Sequence, residues 1–254
     1  MGGGRAGVDG CMAAQTDMQV EVWSDVVCPW CWIGKRHLEQ ALSNFPHAEQ
    51  VAVTWRAFEL DPDAGPSTDR PYVRRLADKY GFGEADGQAM VDRMVATGAG
   101  AGLDMRFDLA RPGNTFDAHR LLHLAAERGV QDAVKEALFR AAFTDGEPVS
   151  DHDTLVRVVA AAGLDPAEAR QVLAEDVYAD EVRIEEKAAA ELGATGVPFF
   201  VVDRRYGVAG AQPPEVLLQV LEQAWRERRP LTVVGAPAQG TAPADSCADG
   251  SCAV

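Results

Sequence analysis

The sequence predicts an α/β protein in which a long all-helical block interrupts a small mixed sheet. Short stretches rich in β-branched and alternating residues occur at 18–27, 50–58 and 196–212. Residues 70–192 have helical spacing almost throughout, which is too long a helical run for a simple crossover between two strands. Without that block the order is strand, helix, strand, strand, strand, helix, which is a small α/β unit with mixed strands.

The first strand and helix meet at residues 26–34, which read VVCPWCWIG. Residues 18–27 alternate and are rich in valine, which is typical of a short strand that ends just before Cys28. Apolar side chains then recur at spacings of three and four over residues 31–45, the pattern of an amphipathic helix. Pro29 fits the first turn of that helix, since this position needs no backbone donor. Both cysteines of the motif are therefore expected at a strand-to-helix junction.

The helical block contains several segments that each end at glycine or a turn. Its clearest helix start combines Asp165 as an N-cap acceptor with Pro166 at the first helical position. Glu168 is an acid that can reach back to complete a capping box. We predict that this helix continues to Leu192, with Gly193 as its C-terminal stop.

The last part of the chain predicts a hairpin and a helix. Residues 196–212 return to strand character and are expected to turn near residues 203–205. A proline pair then starts a final helix within residues 213–229. These elements complete the α/β unit.

The predicted domain organisation follows from the order of these elements. One α/β domain is built discontinuously from residues 18–66 and 194–230, and a helical insertion domain occupies residues 67–193. Residues 1–17 are rich in glycine and alanine without periodicity, and residues 231–254 have almost no large apolar side chains. Both ends are expected to be disordered, because such segments cannot bury enough apolar surface to fold.

Composition and charge exclude several classes of function. Of the 254 residues, 47% are hydrophobic and 25% are charged, which is typical of an ordinary globular protein. The net charge of −15 argues against nucleic-acid partners, because phosphate binding draws on clusters of Lys and Arg. No run of about 18 apolar residues occurs, and the N-terminus lacks the apolar core of a secretory signal. We therefore expect no membrane association and a cytoplasmic location.

The motif with the clearest chemistry is Cys28-Pro29-Trp30-Cys31. The N-terminus of a helix stabilises a thiolate through unpaired N–H groups and a positive dipole end, and such settings lower a thiol pKa from about 8.5 into roughly 3.5–7.5. Cys28 is expected to attack or be attacked, and Cys31, one turn into the helix, to resolve the mixed disulfide. Trp30 is expected to be exposed as part of a peptide-contact surface.

Two other uses of this cysteine pair stay open from the residues alone. Small thiols can simply pack beneath a helix. A zinc site needs four ligands, commonly two such pairs, and the other pair in this chain is Cys247 and Cys252, near its far end. None of the five cysteines lies in the long middle of the chain, so a disulfide-stapled secreted fold is not indicated. Redox chemistry without a metal is the first interpretation.

These segments together resemble the DsbA family of thioredoxin-fold proteins. The resemblance rests on CPWC after a strand, on the long helical insertion and on GVPFFVV at residues 196–202. FELDP at 58–62 and NTFDAHRL at 114–121 are similar to the FrnE-like cytoplasmic branch, which is related to kappa-class glutathione transferases and hydroxychromene-carboxylate isomerases. The resemblance covers residues 18–230 and implies a thioredoxin fold with a large all-helical insertion.

The resemblance implies roles for residues at the dithiol. Cys28 matches the attacking cysteine of the family and Cys31 the resolving one. Val197 and Pro198 match the loop that faces the disulfide, so the peptide bond between them is expected to be cis. The Val197 backbone would then be free to pair with an extended substrate. From the residues alone, Pro198 is equally a proline at the start of a strand.

The remaining substrate-binding candidates are Pro29 and Trp30 beside the nucleophile, and Asn114 and His119 in the FrnE-like segment. From spacing alone, Asn114 or Thr115 is a helix cap and His119 a residue of a polar face. Only the resemblance makes His119 a site candidate. Glu59 follows the second strand and is expected in a solvated loop that adds negative charge near the site.

A second dithiol lies in the tail, where Cys247 and Cys252 bracket Ala-Asp-Gly-Ser. Cys247 follows Arg229 by 18 residues, and a flexible linker of that size reaches roughly 20–25 Å. The tail pair can therefore visit Cys28 at an effective concentration in the millimolar range. Some FrnE-type proteins are similar in carrying such a motif. An auxiliary redox pair is expected, with two incidental exposed thiols as the alternative.

The predicted activity is dithiol–disulfide exchange on protein or small-molecule thiols and disulfides. The related transferases and isomerases replace the dithiol with a single serine-type position that activates glutathione, whereas this chain keeps both sulfurs. No cofactor is expected beyond the redox-active disulfide, with glutathione as a candidate substrate. Periplasmic DsbA has Pro-His between its cysteines, so Pro-Trp here predicts a less oxidising couple.

Two alternative functions and one question of assembly stay open. The alternatives are a glutathione-dependent isomerase or transferase acting on small molecules, and a metal-binding redox sensor that uses both cysteine pairs. A homodimer is also open, because the sequence of an exposed helical face does not distinguish a lid over the site from a dimer contact.

Overall fold

A mixed four-stranded sheet is the frame on which the candidate site is built. The structure is a computed structural model that describes residues 18–228. Strand β1 (Met18–Ser24) lies between β2 (Val51–Ala57), which is parallel to it, and β3 (Phe199–Val202), which is antiparallel. Strand β4 (Tyr206–Ala209) pairs antiparallel with β3, so the order is β2-β1-β3-β4. Because β1 is central, almost all of its side chains are buried.

Two helices cover one face of this sheet. Helix α1 (Pro29–Ser43) follows β1, and helix α9 (Pro214–Arg226) follows β4. Their apolar sides form one core with the sheet, in which Val20 of β1, Leu38 of α1 and Leu221 of α9 are all buried. Both helices begin at a proline, whose missing N–H costs nothing in the first turn.

Seven α-helices lie between β2 and β3 of the described chain: α2 (Tyr72–Tyr80), α3 (Glu84–Gly100), α4 (Phe116–Glu127), α5 (Gln131–Arg140), α6 (His152–Ala161), α7 (Pro166–Ala174) and α8 (Ala179–Glu191). A short π-helix, Ala141–Asp145, continues α5. Their core is continuous with the start of α1, since Cys31 and Trp32 are buried with Phe139 and Phe143. The dithiol therefore lies at the seam between the sheet and the helical segment. The domain boundaries at this seam stay a prediction.

The predicted fold class is confirmed, and the element order agrees with the sequence pattern. The first strand ends at Ser24, before the predicted end, because the Asp25 carbonyl accepts the N–H of Cys28 in a turn at 3.1 Å. The hairpin turns as predicted, with Asp203 and Arg204 at φ angles of 49° and 52°. Within residues 18–228, no helix is both long and apolar enough to cross a membrane.

The single helix predicted over residues 165–192 is wrong, because two helices occupy this range. Helix α7 ends where Glu175 takes an extended conformation, and α8 begins after Tyr178, which has a φ of 62°. The buried guanidinium of Arg120, on α4, donates to the carbonyl oxygens of Val172, Glu175 and Val177. Arg120 thus satisfies acceptors at the end of α7 and in the link to α8, where the helical pattern is broken.

The predicted cap of α7 is confirmed in part. The Asp165 side chain accepts from the N–H groups of Ala167 at 2.6 Å and Glu168 at 3.1 Å. The Glu168 carboxylate does not complete a capping box. It accepts from Arg128 at 2.7 Å instead, because α4 brings that guanidinium alongside.

The predictions of a disordered leader at 1–17 and a flexible tail at 231–254 concern parts of the chain outside the described residues. The same is true of the tail cysteines, Cys247 and Cys252.

Candidate active site

The two thiols of the CPWC motif lie at the N-terminus of α1. Cys28 is the N-cap residue, and its side chain makes no capping hydrogen bond. Cys31 lies in the first turn, where its backbone N–H donates to the Cys28 carbonyl at 3.0 Å. Both are free thiols, with Cys28 4% exposed and Cys31 fully buried. The sequence therefore places one sulfur at the edge of the interior and the other behind it.

The loop before β3 faces the nucleophile. The Val197–Pro198 peptide bond is cis, as predicted, and the Cys28 thiol donates to the Val197 carbonyl at 3.6 Å. Gly34 of α1 allows this close approach, because a Cβ there would lie 2.9 Å from Pro198 Cγ. Pro198 also directly precedes the first residue of β3, Phe199, so the prediction of a strand-start proline describes the same geometry.

Three buried ionisable groups lie behind the dithiol. Asp25 and His119 are each 1% exposed and Lys135 is 0% exposed. Asp25 accepts the N–H of Leu60 at 2.7 Å, and His119 Nε2 lies 3.6 Å from Asp25 Oδ1. Burial acts to raise the pKa of Asp25, yet His119, the Leu60 N–H and Lys135 together hold it below its ordinary value. Asp25 is therefore an ionised carboxylate in the interior.

Lys135 reaches this interior position from α5. Its ammonium donates to the Ser24 carbonyl at 3.1 Å and lies 5.1 Å from the ring centre of Phe139. Burial lowers the pKa of Lys135 to about 8, although the charges of Cys31 and Asp25 act to raise it. The amine therefore holds its proton less tightly than an exposed lysine does.

The thiol of Cys31 has a pKa well above its ordinary value. The first cause is burial, followed by the hydrogen bond and charge of Cys28, while Lys135 acts to lower it. Deprotonation of Cys31 is therefore unfavourable, and the positive charge of Lys135 makes it less so.

Glu59 does not lie in the solvated loop that the sequence predicted. It is 5% exposed, and its carboxylate accepts from Arg183 and, at 3.2 Å, from Asn114 Nδ2. Burial raises the pKa of Glu59 to about 7, although Arg183 acts to lower it. Asn114 also accepts the N–H of Phe116 at 3.0 Å, although the N-cap residue of α4 is Thr115, whose side chain makes no capping hydrogen bond. Asn114 therefore holds a buried carboxylate and bonds the first residue of α4 from just outside the helix.

A cleft of about 850 Å³ opens beside Cys28. Its walls come from the start of α1, from α2 and α3, from Pro112, Gly113 and Thr115, and from residues 195–197. Pro29, Trp30 and Val197 line it, as predicted for substrate-binding residues, and Trp30 is 39% exposed.

The other two substrate-binding candidates take different positions. Asn114 and His119 are not among the residues that line the cleft. His119 lies behind Asp25 and is almost fully buried, so the prediction of a polar-face residue is wrong. The side chain can position Asp25 but does not meet a molecule in the cleft.

The sequence interpretation missed the contribution of Asp25 and Lys135. Asp25 lies three residues before Cys28, where an acid in a turn is unremarkable. Lys135 lies on α5 between the buried residues Val134 and Leu138, and a lysine within an apolar helix face was the one available signal. Within the described residues, no group of three or more His, Cys, Asp or Glu side chains is placed to hold a metal ion.

A sheet of this order, with a dithiol at a helix N-terminus opposite a cis-proline loop, defines a thioredoxin-fold protein. A family model described as the DSBA-like thioredoxin domain matches residues 19–222. The chain belongs to this DsbA-like family.

Similar proteins agree with that placement. The structure is similar to the crystal structure of a probable DsbA oxidoreductase from Streptomyces coelicolor, which is 49% identical, with a TM-score of 0.81 over 89% of this chain and 97% of that one. An uncharacterized Bacillus subtilis protein, YwbO, is 28% identical over 73% of this chain and 86% of its own. A cytosolic disulfide reductase, DsbM from Pseudomonas aeruginosa, solved with GSH, is 18% identical, with a TM-score of 0.57 over 82% of this chain and 99% of that one. This last likeness shows the fold alone.

Proposed function

We propose that this protein is a thiol–disulfide oxidoreductase that works by dithiol exchange at Cys28 and Cys31. The observation that carries the proposal is a pair of free thiols at the N-terminus of α1, the first of them facing the Val197 carbonyl beside a cis-proline. Membership of the DsbA-like family supports oxidoreductase chemistry in general. The second sulfur favours exchange over a transferase reaction that needs one thiol-activating position.

The reaction proceeds in two exchanges. The Cys28 thiolate attacks one sulfur of a substrate disulfide, so a Cys28 mixed disulfide forms and the first substrate thiolate leaves. The Cys31 thiolate then attacks the Cys28 sulfur, so the Cys28–Cys31 disulfide forms and the second substrate thiolate leaves. Two electrons pass from the dithiol to the substrate, and the protons of Cys28 and Cys31 end on the two released thiols.

The second exchange needs a deprotonated Cys31, and the buried charges bear on this step. The Lys135 ammonium favours the Cys31 thiolate, and Asp25 lies in the same buried cluster. An amine with a pKa of about 8 titrates close to neutral pH. The protonation of Lys135 can therefore change as negative charge develops on the Cys31 sulfur. Lys135 is therefore a positioning residue for the resolving step.

The cis-proline loop presents backbone to the substrate. Within residues 18–228 the Val197 N–H has no hydrogen-bond partner, and its carbonyl faces Cys28. An extended substrate can pair with this backbone, as in strand addition. Pro198 shapes the loop, and Pro29 and Trp30 line the same cleft as Val197.

The tail dithiol is proposed as an auxiliary redox pair. Cys247 and Cys252 would exchange with the Cys28–Cys31 disulfide and pass its electrons to or from an external thiol. The support is the length of the linker and the spacing of the two cysteines in the sequence. A cytoplasmic location is proposed together with it, because thiols persist in a reducing compartment.

The test measures disulfide exchange in separate assays with several substrates. Full-length protein, Cys28→Ser and a Cys11→Ser control are assayed for reduction of insulin and hydroxyethyl disulfide and for refolding of reduced ribonuclease. We expect wild type and Cys11→Ser to be active and Cys28→Ser to be inactive. Inactivity of wild type on every substrate would overturn the proposal.

A truncated chain that ends before Ser246 tests the tail separately. A lower turnover than wild type supports the auxiliary pair, whereas equal turnover excludes it. Unchanged turnover in Cys31→Ser would instead support the glutathione-dependent isomerase or transferase.

A further inference from the structure

We infer that the substrate of this dithiol is a small disulfide that carries carboxylates, held in the cleft by Arg75 and Lys79. The inference rests on the proposed exchange function and names its substrate class. Two independent features of the cleft, its shape and its charges, support it.

The shape of the cleft favours a small molecule. Cys28 is 4% exposed and is reached through a space of about 850 Å³ that α2 and α3 wall in. Pockets of roughly 300–1,000 Å³ are the usual size for small-molecule sites. A protein partner typically covers about 800 Å² of each surface, which needs an open face around the sulfur. The volume of the cleft therefore fits a small disulfide better than a contact of that size.

The charges of the cleft favour an anion. Arg70 and Asp78 both line it and pair with each other, so they offset each other's charge. Arg75, which is half-buried, and Lys79 also line it, and the side chain of neither has an ion-pair or hydrogen-bond partner within residues 18–228. Two cationic side chains without such partners in the described chain stand out in the cleft, because the net charge of the protein is −15.

The spacing of these cations adds a second argument. Arg75 and Lys79 are four residues apart on α2 and therefore lie on the same face of the helix. Like charges at this spacing destabilise a helix. A carboxylate between them would relieve the repulsion, and a guanidinium can bind it with two parallel hydrogen bonds.

The remaining lining suits the rest of such a molecule. The apolar groups Tyr72, Met90 and Met94 line the same cleft and can pack against methylene groups next to the sulfurs. Asp61 is an exposed carboxylate of the lining that has no partner cation in the described chain. The negative charge of Asp61 repels an anionic substrate, so this residue reduces the preference of the cleft for anions.

The reaction on this substrate balances without a further reactant in one turnover. The reduced dithiol gives two electrons to the small disulfide, which leaves as two carboxylate-bearing thiols, while Cys28 and Cys31 become a disulfide. Repeated turnover needs an external thiol or dithiol as reductant, and dithiothreitol serves in the assay.

The experiment compares three small disulfides of different charge in a single turnover. Reduced full-length protein is mixed with dithiodiglycolate (anionic), hydroxyethyl disulfide (neutral) or cystamine (cationic). The loss of the Cys28 and Cys31 thiols is followed by acid quench, alkylation and mass spectrometry of the peptide that carries them. Each rate is divided by that of a free small thiol with the same disulfide, which removes differences in leaving group. We expect the anionic substrate to be fastest and the cationic one slowest.

Variants of α2 assign the effect to its residues. Arg75→Gln is expected to lower the ratio of anionic to neutral rate by about tenfold, the loss typical of one charge-assisted hydrogen bond. Lys79→Gln is expected to lower it less, because Lys79 is exposed. Arg74→Gln is the matched control, since Arg74 lies on the same helix but outside the cleft lining and pairs with Glu84 at 3.6 Å. It should leave the ratio unchanged.

The possible failures are distinguishable. If no disulfide oxidises Cys28 and Cys31, the proposed function itself fails. If all three disulfides react at equal normalised rates, or if insulin reacts faster than each of them, only the inferred substrate class is overturned. An Arg75→Gln ratio equal to wild type would also overturn it.

Discussion

The two sulfurs of the dithiol lie one helical turn apart but in different surroundings. Cys28 borders a cleft whose wall carries Arg75 and Lys79, two cations that form no ion pair with another residue of the described chain. Cys31 is fully buried, and its neighbours are the interior groups Asp25 and Lys135. The difference indicates a division of labour, in which the cleft side selects the substrate and the buried side controls the proton of the resolving thiol.

The two sides also come from different parts of the fold. The α/β unit supplies both cysteines and the cis-proline loop. The helical segment supplies the cleft wall through α2 and the interior cation through α5. The helical segment therefore contributes to both steps of the reaction. Substitutions in α2 should affect substrate selection, and substitutions in α5 should affect the resolving step.

The largest effect is expected from Cys28→Ser, which removes the attacking sulfur. The variant should lose all exchange at the CPWC motif, because Cys31 is fully buried and cannot meet a substrate disulfide. The measurement is the single-turnover oxidation of the peptide that carries Cys31 with hydroxyethyl disulfide, followed by alkylation and mass spectrometry so that the other cysteines of the chain are not counted. Residual exchange through Cys31 would show that the two sides are not distinct.

Lys135→Met should impair the resolving step at Cys31 and leave the attack by Cys28 nearly unchanged. Without the ammonium the pKa of Cys31 rises further, so the second exchange is expected to slow by about tenfold at neutral pH, as one pKa unit implies, and to recover at higher pH. The first exchange should change less. The measurement is the release of the first and second substrate thiols by rapid quench, at several pH values.

A matched control and a stability measurement exclude a merely structural effect of Lys135. Lys187→Met changes an exposed lysine of α8 and should leave both exchanges unaltered. Burial lowers the pKa of Lys135 from 10.5 to about 8, so between these values the folded state binds fewer protons than the unfolded state. Wild-type stability should therefore gain a rising contribution over that pH window, and Lys135→Met should lose it. Equal pH profiles would contradict the assignment.

Gly34→Ala should disturb the contact between α1 and the cis-proline loop. An added Cβ would lie 2.9 Å from Pro198 Cγ and 3.2 Å from Phe200 Cζ, so the loop must shift. We expect a loss of about 1–3 kcal/mol in the free energy of unfolding, which is typical of overpacking. Chemical denaturation measures it. Gly100→Ala is the control, because nothing lies within 4 Å of a Cβ there, and a loss as large in this control would contradict the account.

The smallest effect is expected from Glu59→Gln, on the buried side. Burial raises the pKa of Glu59 to about 7 from 4.5, so the folded state binds more protons than the unfolded state between these values. This group therefore adds stability as the pH falls from 7 to 4.5, with a slope of at most about 1.4 kcal/mol per pH unit. Denaturation of Glu59→Gln over this range should show a flatter profile, and an unchanged slope would contradict the raised pKa.

Local signals in the sequence predicted much of the α/β unit. Proline and helical spacing predicted α1 beginning at the dithiol, and turn residues predicted the hairpin between β3 and β4. The cis bond at Pro198 came from the resemblance to the family and not from the residue pattern. These features depend on neighbouring residues or on a shared motif, so a single chain discloses them.

The sequence could not predict features that depend on contacts distant along the chain. The break between α7 and α8 involves the guanidinium of Arg120, which comes from α4. The burial of Lys135 behind Cys31 requires the packing of α5 against β2 and the start of α1. Glu59 follows a strand and looks like a loop residue until Asn114 and Arg183 enclose it. The spacing of residues along the chain does not predict these long-range contacts.

The most direct test of the account is to trap the mixed disulfide with Cys31→Ser. Reduced Cys31→Ser is mixed with dithiodiglycolate, and the product is digested and analysed by mass spectrometry. We expect a stable adduct on Cys28 that accumulates because the resolving sulfur of Cys31 is absent, and none at that position in Cys28→Ser. Continued turnover of Cys31→Ser without an adduct, or an adduct on Cys31 in Cys28→Ser, would contradict the assignment of attack and resolution to the two sulfurs.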